Sequence, residues 1–170
     1  MTDDDGYSHC FGVATNKDGS ATPTPLGLED LVFALTSVSA ASAAARAHGD
    51  IESAAVLSDY YALVADAVAL SEGRVVNVIG DGVLIVFPVQ RAKDAVDTLR
   101  ALQASATKLW AAFDHRCHLQ VKMGSGSLAA GPMGPPAAER FDVYGTALND
   151  LFKAPMEDFF ITPALAQLLK

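Results

Sequence analysis

The sequence has little positive charge, few cysteines and no long apolar run, and each shortage excludes a class of function. Twelve Lys and Arg residues stand against twenty Asp and Glu residues, which gives a formal net charge of −8 at pH 7. Nucleic acids and anionic membranes are held mainly by Lys and Arg, so neither is expected as the main partner. Two cysteines, Cys10 and Cys117, are too few for a disulfide framework.

The apolar content is interrupted in a way that argues against membrane insertion. The most apolar stretch, residues 54–70, contains Asp59 and Asp66, and therefore lacks the roughly 18 uninterrupted apolar residues of a membrane span. No secretory signal with a basic start and an apolar centre opens the chain. Together with the low cysteine content, these features predict a cytoplasmic protein.

What is present is enough apolar sequence for one folded domain. The chain has 170 residues, of which 51% are hydrophobic, so it can bury a substantial core. Residues 1–25 carry Asp3, Asp4 and Asp5 and the run Thr22-Pro23-Thr24-Pro25, which predicts a flexible tail. We therefore expect a tail at residues 1–25 and a single domain at residues 26–170.

Apolar spacing and turn residues predict an α+β fold with a mostly antiparallel sheet covered by helices. The predicted strands are residues 28–37, the hairpin 75–87, a half-exposed strand 119–123 followed by a Gly-Ser turn, and 159–161. The predicted helices are residues 40–47, 50–70 with Asp50 as N-cap and Gly73 as the stop, 92–113, a short helix after Gly145, and 163–170.

The hairpin at residues 75–87 carries the most informative motif, Gly80-Asp81-Gly82 between two β-branched runs. A turn aspartate often bonds its own backbone, and an isolated Gly-Asp-Gly favours that structural interpretation. A carboxylate at the tip of a hairpin can also bind a cation, and the surrounding sequence bears on this choice.

The chain carries three motif-bearing stretches in order: residues 57–61 with 71–87, residues 121–134, and residues 141–149. Together they resemble the catalytic domain of class III nucleotidyl cyclases, the adenylyl and guanylyl cyclase family. Residues 57–61 and 71–87 are similar to the family's helix, glycine stop and Ile-Gly-Asp-Gly hairpin. Residues 121–134 are similar to its strand-turn-strand ending in Ala-Gly-x-x-Gly, and residues 141–149 to its Tyr-Asp-x-x-Gly-x-x-Val-Asn. The resemblance covers residues 28–170 and implies the ferredoxin-like nucleotide cyclase fold.

The resemblance assigns roles to five residues. Asp81 matches one of two aspartates that bridge Mg²⁺ or Mn²⁺ ions. Asn149 matches the asparagine that orients the ribose, and Lys153 stands where the family has a transition-state arginine. Asn77 and Asp142 stand at the two positions that read the purine, and this pair does not decide between adenine and guanine.

The second metal aspartate is missing. The resemblance places it near Ser37, where no carboxylate occurs between Leu31 and Gly49. An alternative register would recruit Asp30 instead. A serine hydroxyl is a poor ligand for Mg²⁺, so we expect weak metal binding at most.

Two hypotheses about nucleotide chemistry follow, beside a third in which the chain is a purely structural partner-binding domain. The first is a degenerate cyclase-homology domain, a dimerising signalling module that binds a nucleoside triphosphate but cyclises it poorly or not at all. The second is a divergent active cyclase, a phosphorus-oxygen lyase that makes cyclic nucleotide and pyrophosphate from ATP or GTP. Because the family builds its site across a two-fold interface, the resemblance implies a homodimer or pairing with another cyclase-type chain.

Overall fold

The computed structural model describes residues 25–170, and this part of the chain forms one sheet with helices packed on it. The strands are β1 (Gly27–Val38), β2 (Arg74–Ile79), β3 (Gly82–Pro88), β4 (Leu119–Met133), β5 (Arg140–Tyr144) and β6 (Phe159–Ile161). The helices are α1 (Ala41–His48), α2 (Asp50–Ala69), α3 (Ala92–Phe113), α4 (Thr146–Lys153) and α5 (Pro163–Leu168). Apart from Pro25, the predicted tail lies outside the described residues. Within them, no helix is both long and apolar enough to span a membrane.

The sheet has the order β2-β3-β1-β4-β5, with β6 added beside β4. All pairings are antiparallel except that of β6 with β4. The prediction of an α+β fold with a mostly antiparallel sheet is confirmed. β3, β1 and β4 are the inner strands of this order. Because β1 pairs with β3 as far as Thr36 and Val83, the end of β1 lies next to the β2–β3 hairpin turn.

One face of the sheet is covered by α2 and α3. Tyr60, Val64 and Val68 of α2 are buried, as the helical spacing predicts, and Trp110 of α3 lies against Tyr60. Burial of side chains of this size contributes about 1.5–3 kcal/mol each to folding. This layer holds β1 and the hairpin in fixed positions relative to α2.

The prediction for residues 119–127 is wrong in two respects. Residues 124–127 are not a turn but the middle of the 15-residue strand β4, paired with β1 from Asp30 to Phe33. A Cβ at Gly124 would lie 2.8 Å from the Phe33 ring, so the glycines make room for a side chain rather than for a bend. Residues 119–123 are also not half-exposed, because β4 is central and even Lys122 is buried.

The second face of the sheet is covered partly by α4 and partly by contact between the two edge strands β2 and β5. Leu148 and Leu151 of α4 pack with Phe33 and Leu128 in a second apolar cluster. The Arg74 guanidinium of β2 lies 3.6 Å from the centroid of the Phe141 ring of β5. The sheet therefore curls until its two edge strands meet.

The ends of α2 differ from the prediction. Gly49 rather than Asp50 is the N-cap residue. At the other end the left-handed conformation belongs to Glu72, with φ of 58°, and not to Gly73. Gly73 is required for another reason: a Cβ there would lie 2.4 Å from the buried Phe87 ring.

Candidate functional site

The β2–β3 turn places Asp81 against the end of β1. Ser37 Oγ donates a hydrogen bond to Asp81 Oδ2 at 2.8 Å, and the Val38 amide donates to the same oxygen at 2.6 Å. Gly80 supplies the left-handed conformation that a two-residue hairpin turn needs, with φ of 58°. The carboxylate therefore bonds a neighbouring strand and not its own turn, contrary to the structural interpretation of an isolated Gly-Asp-Gly.

A second carboxylate could share a cation with Asp81 only if it lay close to the Asp81 carboxylate. Ser37 occupies such a position. Asp30 cannot take that place, because it lies seven residues back along β1, about 23 Å away at ~3.3 Å per residue. Its partner is Ser127 of β4, whereas the β1 residue Thr36 pairs with Val83 beside the hairpin turn. The alternative register with Asp30 is wrong. Among residues 25–170, no group of three acidic, His or Cys side chains is positioned to hold a metal ion.

Asn149 and Lys153 lie one helical turn apart on α4, so they share a face of that helix. Asn149 is half-buried and Lys153 is exposed, with its Nζ 3.9 Å from Asp150 Oδ1. In the described part of the chain, no hydrogen bond or ion pair joins either residue to Asp81.

Asn77 and Asp142 lie on the two edge strands that the curl of the sheet brings together. Each side chain accepts a hydrogen bond from the next amide along the chain, Asn77 Oδ1 from Val78 at 3.0 Å and Asp142 Oδ1 from Val143 at 2.8 Å. No hydrogen bond joins Asn77 to Asp142 within residues 25–170. The two residues thus belong to one region of the molecule without forming a direct pair.

Two tyrosines of α2 reach the same place, a feature that sequence reasoning missed. Tyr60 Oη is hydrogen-bonded to Thr36 Oγ1 at 2.7 Å, and Tyr61 Oη donates to the Gly80 carbonyl. Burial first, and then the negative charge of Asp81, raise the pKa of Tyr61. Helical spacing predicted that either Tyr60 or Tyr61 lies in the core, but no local pattern shows that the Tyr60 hydroxyl bonds a strand residue 24 positions away.

Sequence reasoning also missed Lys122, a lysine in the centre of β4 that is only 3% exposed. Its Nζ donates to the carbonyls of Phe152 at 3.0 Å and Ala154 at 2.8 Å, at the C-terminal end of α4. Burial lowers the pKa of Lys122. A cation at this end of a helix is favoured by the helix dipole, so Lys122 fixes the helix that carries Asn149 and Lys153.

We expect the substitution Lys122→Met to lower the free energy of unfolding by about 1–3 kcal/mol, because it removes the buried donor that bonds the Phe152 and Ala154 carbonyls. Chemical denaturation measures this loss. The matched control is Lys93→Met on α3, whose lysine side chain is 82% exposed and, within residues 25–170, forms an ion pair with Asp97 alone. The control is expected to change stability far less, because an exposed ion pair contributes little. Equal losses in the two variants would contradict a fixing role for Lys122.

Chemically, the site offers one carboxylate and one hydroxyl side by side. Mg²⁺ prefers anionic oxygen ligands, keeps several waters and takes further ligands from phosphate groups. Asp81 therefore suits a single ion that arrives with a polyphosphate better than a pair of ions held by the protein. Ser37 Oγ would be a neutral neighbour in such a site.

Comparison with solved structures shows that this fold is that of nucleotidyl cyclase catalytic domains. The adenylyl cyclase CyaB from P. aeruginosa superposes with a TM-score of 0.78 at 13% identity over 86% of this chain and 83% of that one. The guanylate cyclase domain of RhGC from Catenaria anguillulae, in complex with GTP, gives 0.74 at 16% identity over 85% and 84%. A bacterial light-regulated adenylyl cyclase gives 0.75 at 15% identity over 90% of this chain, which spans only 49% of that protein. No protein-family model and no curated relative matches the sequence.

Proposed function

We propose that this chain is a degenerate cyclase-homology module, which dimerises and binds a nucleoside triphosphate with at most one divalent ion. On this proposal it cyclises the nucleotide poorly or not at all. The observation that supports it most directly is the hydrogen bond from Ser37 Oγ to Asp81, 2.8 Å long, at the position where a second carboxylate is needed. Two-metal phosphoryl chemistry depends on ions that clamp both the attacking and the leaving oxygen.

Retention of nucleotide binding is supported by the groups that remain. Asp81 supplies one anionic ligand for a nucleotide-bound Mg²⁺ or Mn²⁺, and Lys153 keeps a positive charge at the arginine position. The helix α1 begins three residues after β1, next to Asp81, and its first turn contains no acidic residue. Among the described residues no side chain caps that turn, which leaves its amides suited to phosphate oxygens. Asn77 and Asp142 are the proposed base-reading residues.

Dimerisation is supported by where apolar side chains are exposed. Ile79, next to the Gly80-Asp81 turn, is 78% exposed, and Phe152, next to Lys153, is 48% exposed. Tyr144, between Asp142 and α4, is 65% exposed. Contiguous exposed apolar patches are typical of interaction sites, and a dimer interface here would bury these three side chains together. A two-fold dimer would bring Asp81 of one chain towards Asn149 and Lys153 of the other.

The test is to incubate the purified chain with ATP or GTP and Mn²⁺, and to measure cyclic nucleotide by mass spectrometry. We expect no more product than from Asp81→Asn, which removes the charge but keeps the shape of the side chain. In the same preparation, calorimetry with a non-hydrolysable triphosphate should show binding that requires a divalent ion and weakens about tenfold in Asp81→Asn, which corresponds to ~1.4 kcal/mol. Sedimentation should show a dimer.

The possible outcomes separate the hypotheses. Product clearly above that of Asp81→Asn would establish the divergent active cyclase, a phosphorus-oxygen lyase working with Asp81 as its metal carboxylate. Failure to bind any triphosphate would remove the nucleotide from the proposal. Dimers that form without nucleotide binding would then indicate a module that acts only through protein contacts.

A further inference from the structure

Two neighbouring tyrosines of α2 are bound to the two sides of the Asp81 site. Tyr60 bonds Thr36, which precedes Ser37, and Tyr61 bonds Gly80, which precedes Asp81. Ser37 and Asp81 are themselves hydrogen-bonded at 2.8 Å. The contacts therefore form a closed ring that runs from α2 to β1, across to the hairpin turn and back to α2.

The two bonds differ in their surroundings. Tyr60 and Thr36 are both 0% exposed. Thr36 Oγ1 also donates a second, longer hydrogen bond of 3.5 Å to the Val83 carbonyl of β3. Tyr61 is half-buried, and its hydroxyl reaches the turn itself. Because α2 is a long helix packed on the sheet, a donor fixed on it restricts the position of the Gly80 carbonyl and of the residue after it.

We propose that Tyr60 and Tyr61 are positioning residues, which set the distance between the end of β1 and the hairpin turn and so hold the Asp81 carboxylate in its place. Tyr61 acts directly on the turn, and Tyr60 holds the strand that the turn must meet. Since the tyrosines are adjacent on α2, any shift of that helix moves both contacts together. The ligand part of this inference rests on the proposed function, whereas the structural part does not.

The Val38 amide gives a direct readout, because it donates its hydrogen bond to Asp81 Oδ2. Its hydrogen-exchange rate therefore reports whether the carboxylate is seated. In Tyr61→Phe, which removes only the hydroxyl, we expect the exchange rate of the Val38 amide to rise about tenfold relative to that of the Ile85 amide. Ile85 is a fully buried residue of β3, and we expect its amide to exchange by global unfolding. Asp81→Ala removes the acceptor altogether, so it should accelerate Val38 exchange further and give the highest rate that loss of this hydrogen bond can cause.

The matched control is Ser58→Ala, which also removes one hydroxyl from α2. Among the described residues, that hydroxyl bonds the Ala54 carbonyl of the same helix and nothing else. It should leave the ratio of the Val38 exchange rate to the Ile85 exchange rate unchanged. A ratio in Tyr61→Phe within twofold of that in Ser58→Ala overturns the proposal. Tyr60→Phe, a second variant with the same ring, should raise the ratio as well.

Calorimetry with a non-hydrolysable nucleoside triphosphate and Mn²⁺ tests the ligand part. We expect Tyr61→Phe to raise the dissociation constant three- to tenfold, with Ser58→Ala unchanged. If the unsubstituted chain binds no triphosphate, the proposed function fails while the exchange measurement still decides the positioning role. If the chain binds and Tyr61→Phe binds equally well, the role of Tyr61 in ligand binding is overturned.

Discussion

The substitution Ser37→Asp is expected to create a divalent-ion site and to raise the affinity for Mn²⁺ about 100-fold, equivalent to ~2.7 kcal/mol of stabilisation at a matched ion concentration. Ser37 Oγ already lies 2.8 Å from Asp81 Oδ2, so a carboxylate there comes within reach of a shared ion. The charge and number of oxygen ligands set the affinity for such ions. Thermal denaturation against Mn²⁺ concentration measures the gain.

Without metal, the same variant is expected to be less stable than the parent by about 1–3 kcal/mol at neutral pH, because two like charges are placed side by side. Such a pair raises the pKa of one carboxyl in the folded state. Between about pH 4 and this raised pKa the folded protein binds more protons than the unfolded chain, so its stability falls as pH rises through that window. Saturating Mn²⁺ should remove this pH dependence.

The control for this prediction is Ser37→Asn, which has nearly the same shape as aspartate and no charge. It should neither respond to Mn²⁺ nor show the new pH dependence. Formation of cyclic nucleotide by Ser37→Asp, and not by Ser37→Asn, would identify the lack of a second carboxylate as the cause of the low or absent cyclase activity that we propose. Equal metal responses in the two variants would show that Asp81 and position 37 do not form a shared site.

The hairpin could be anticipated from sequence because its determinants are local. Two β-branched runs around Gly80-Asp81-Gly82 specify strand, turn and strand without reference to the rest of the chain. Helix α3 was predicted with its observed bounds for the same reason, since its apolar spacing is regular over 22 residues. The identity of Ser37 as the neighbour of Asp81 required the resemblance, because a contact 44 residues apart in sequence leaves no local pattern.

The sequence did not reveal that β4 lies inside the sheet, and the burial of its residues depends on that position. Residues 119–123 alternate between apolar and polar, which is typical of a half-exposed strand, yet Lys122 is buried because α4 lies over it. Gly124 and Gly126 are common turn residues, but here they accommodate Phe33 and Ala147 from other elements. In both cases the deciding neighbour is distant in sequence.

Gly126→Val is expected to lower the free energy of unfolding by about 3 kcal/mol, because β4 has no room for a side chain at this position. A Cβ at Gly126 would lie 2.9 Å from the Ala147 Cβ of α4. Because β4 is paired with β1 from Leu119 to Ala130, the strand is fixed in the sheet and α4 is the element that must move. Displacement of α4 would also move Asn149 and Lys153. Changes in the amide chemical shifts of α4 residues would detect this movement. As control, Gly27→Ala, whose added Cβ would have its nearest neighbour at 3.8 Å, should change stability by less than about 0.5 kcal/mol.

A double-mutant cycle isolates the contact between β4 and α4. Gly126→Ala alone should cost about 2 kcal/mol, and Ala147→Gly alone up to about 1 kcal/mol through helix propensity. Because Ala147→Gly removes the atom that the new methyl group would meet, the double variant should be at least ~1 kcal/mol more stable than the sum of the two losses predicts. Strict additivity would mean that the cost at position 126 arises within β4, and that the glycine does not set the position of the helix bearing Asn149 and Lys153.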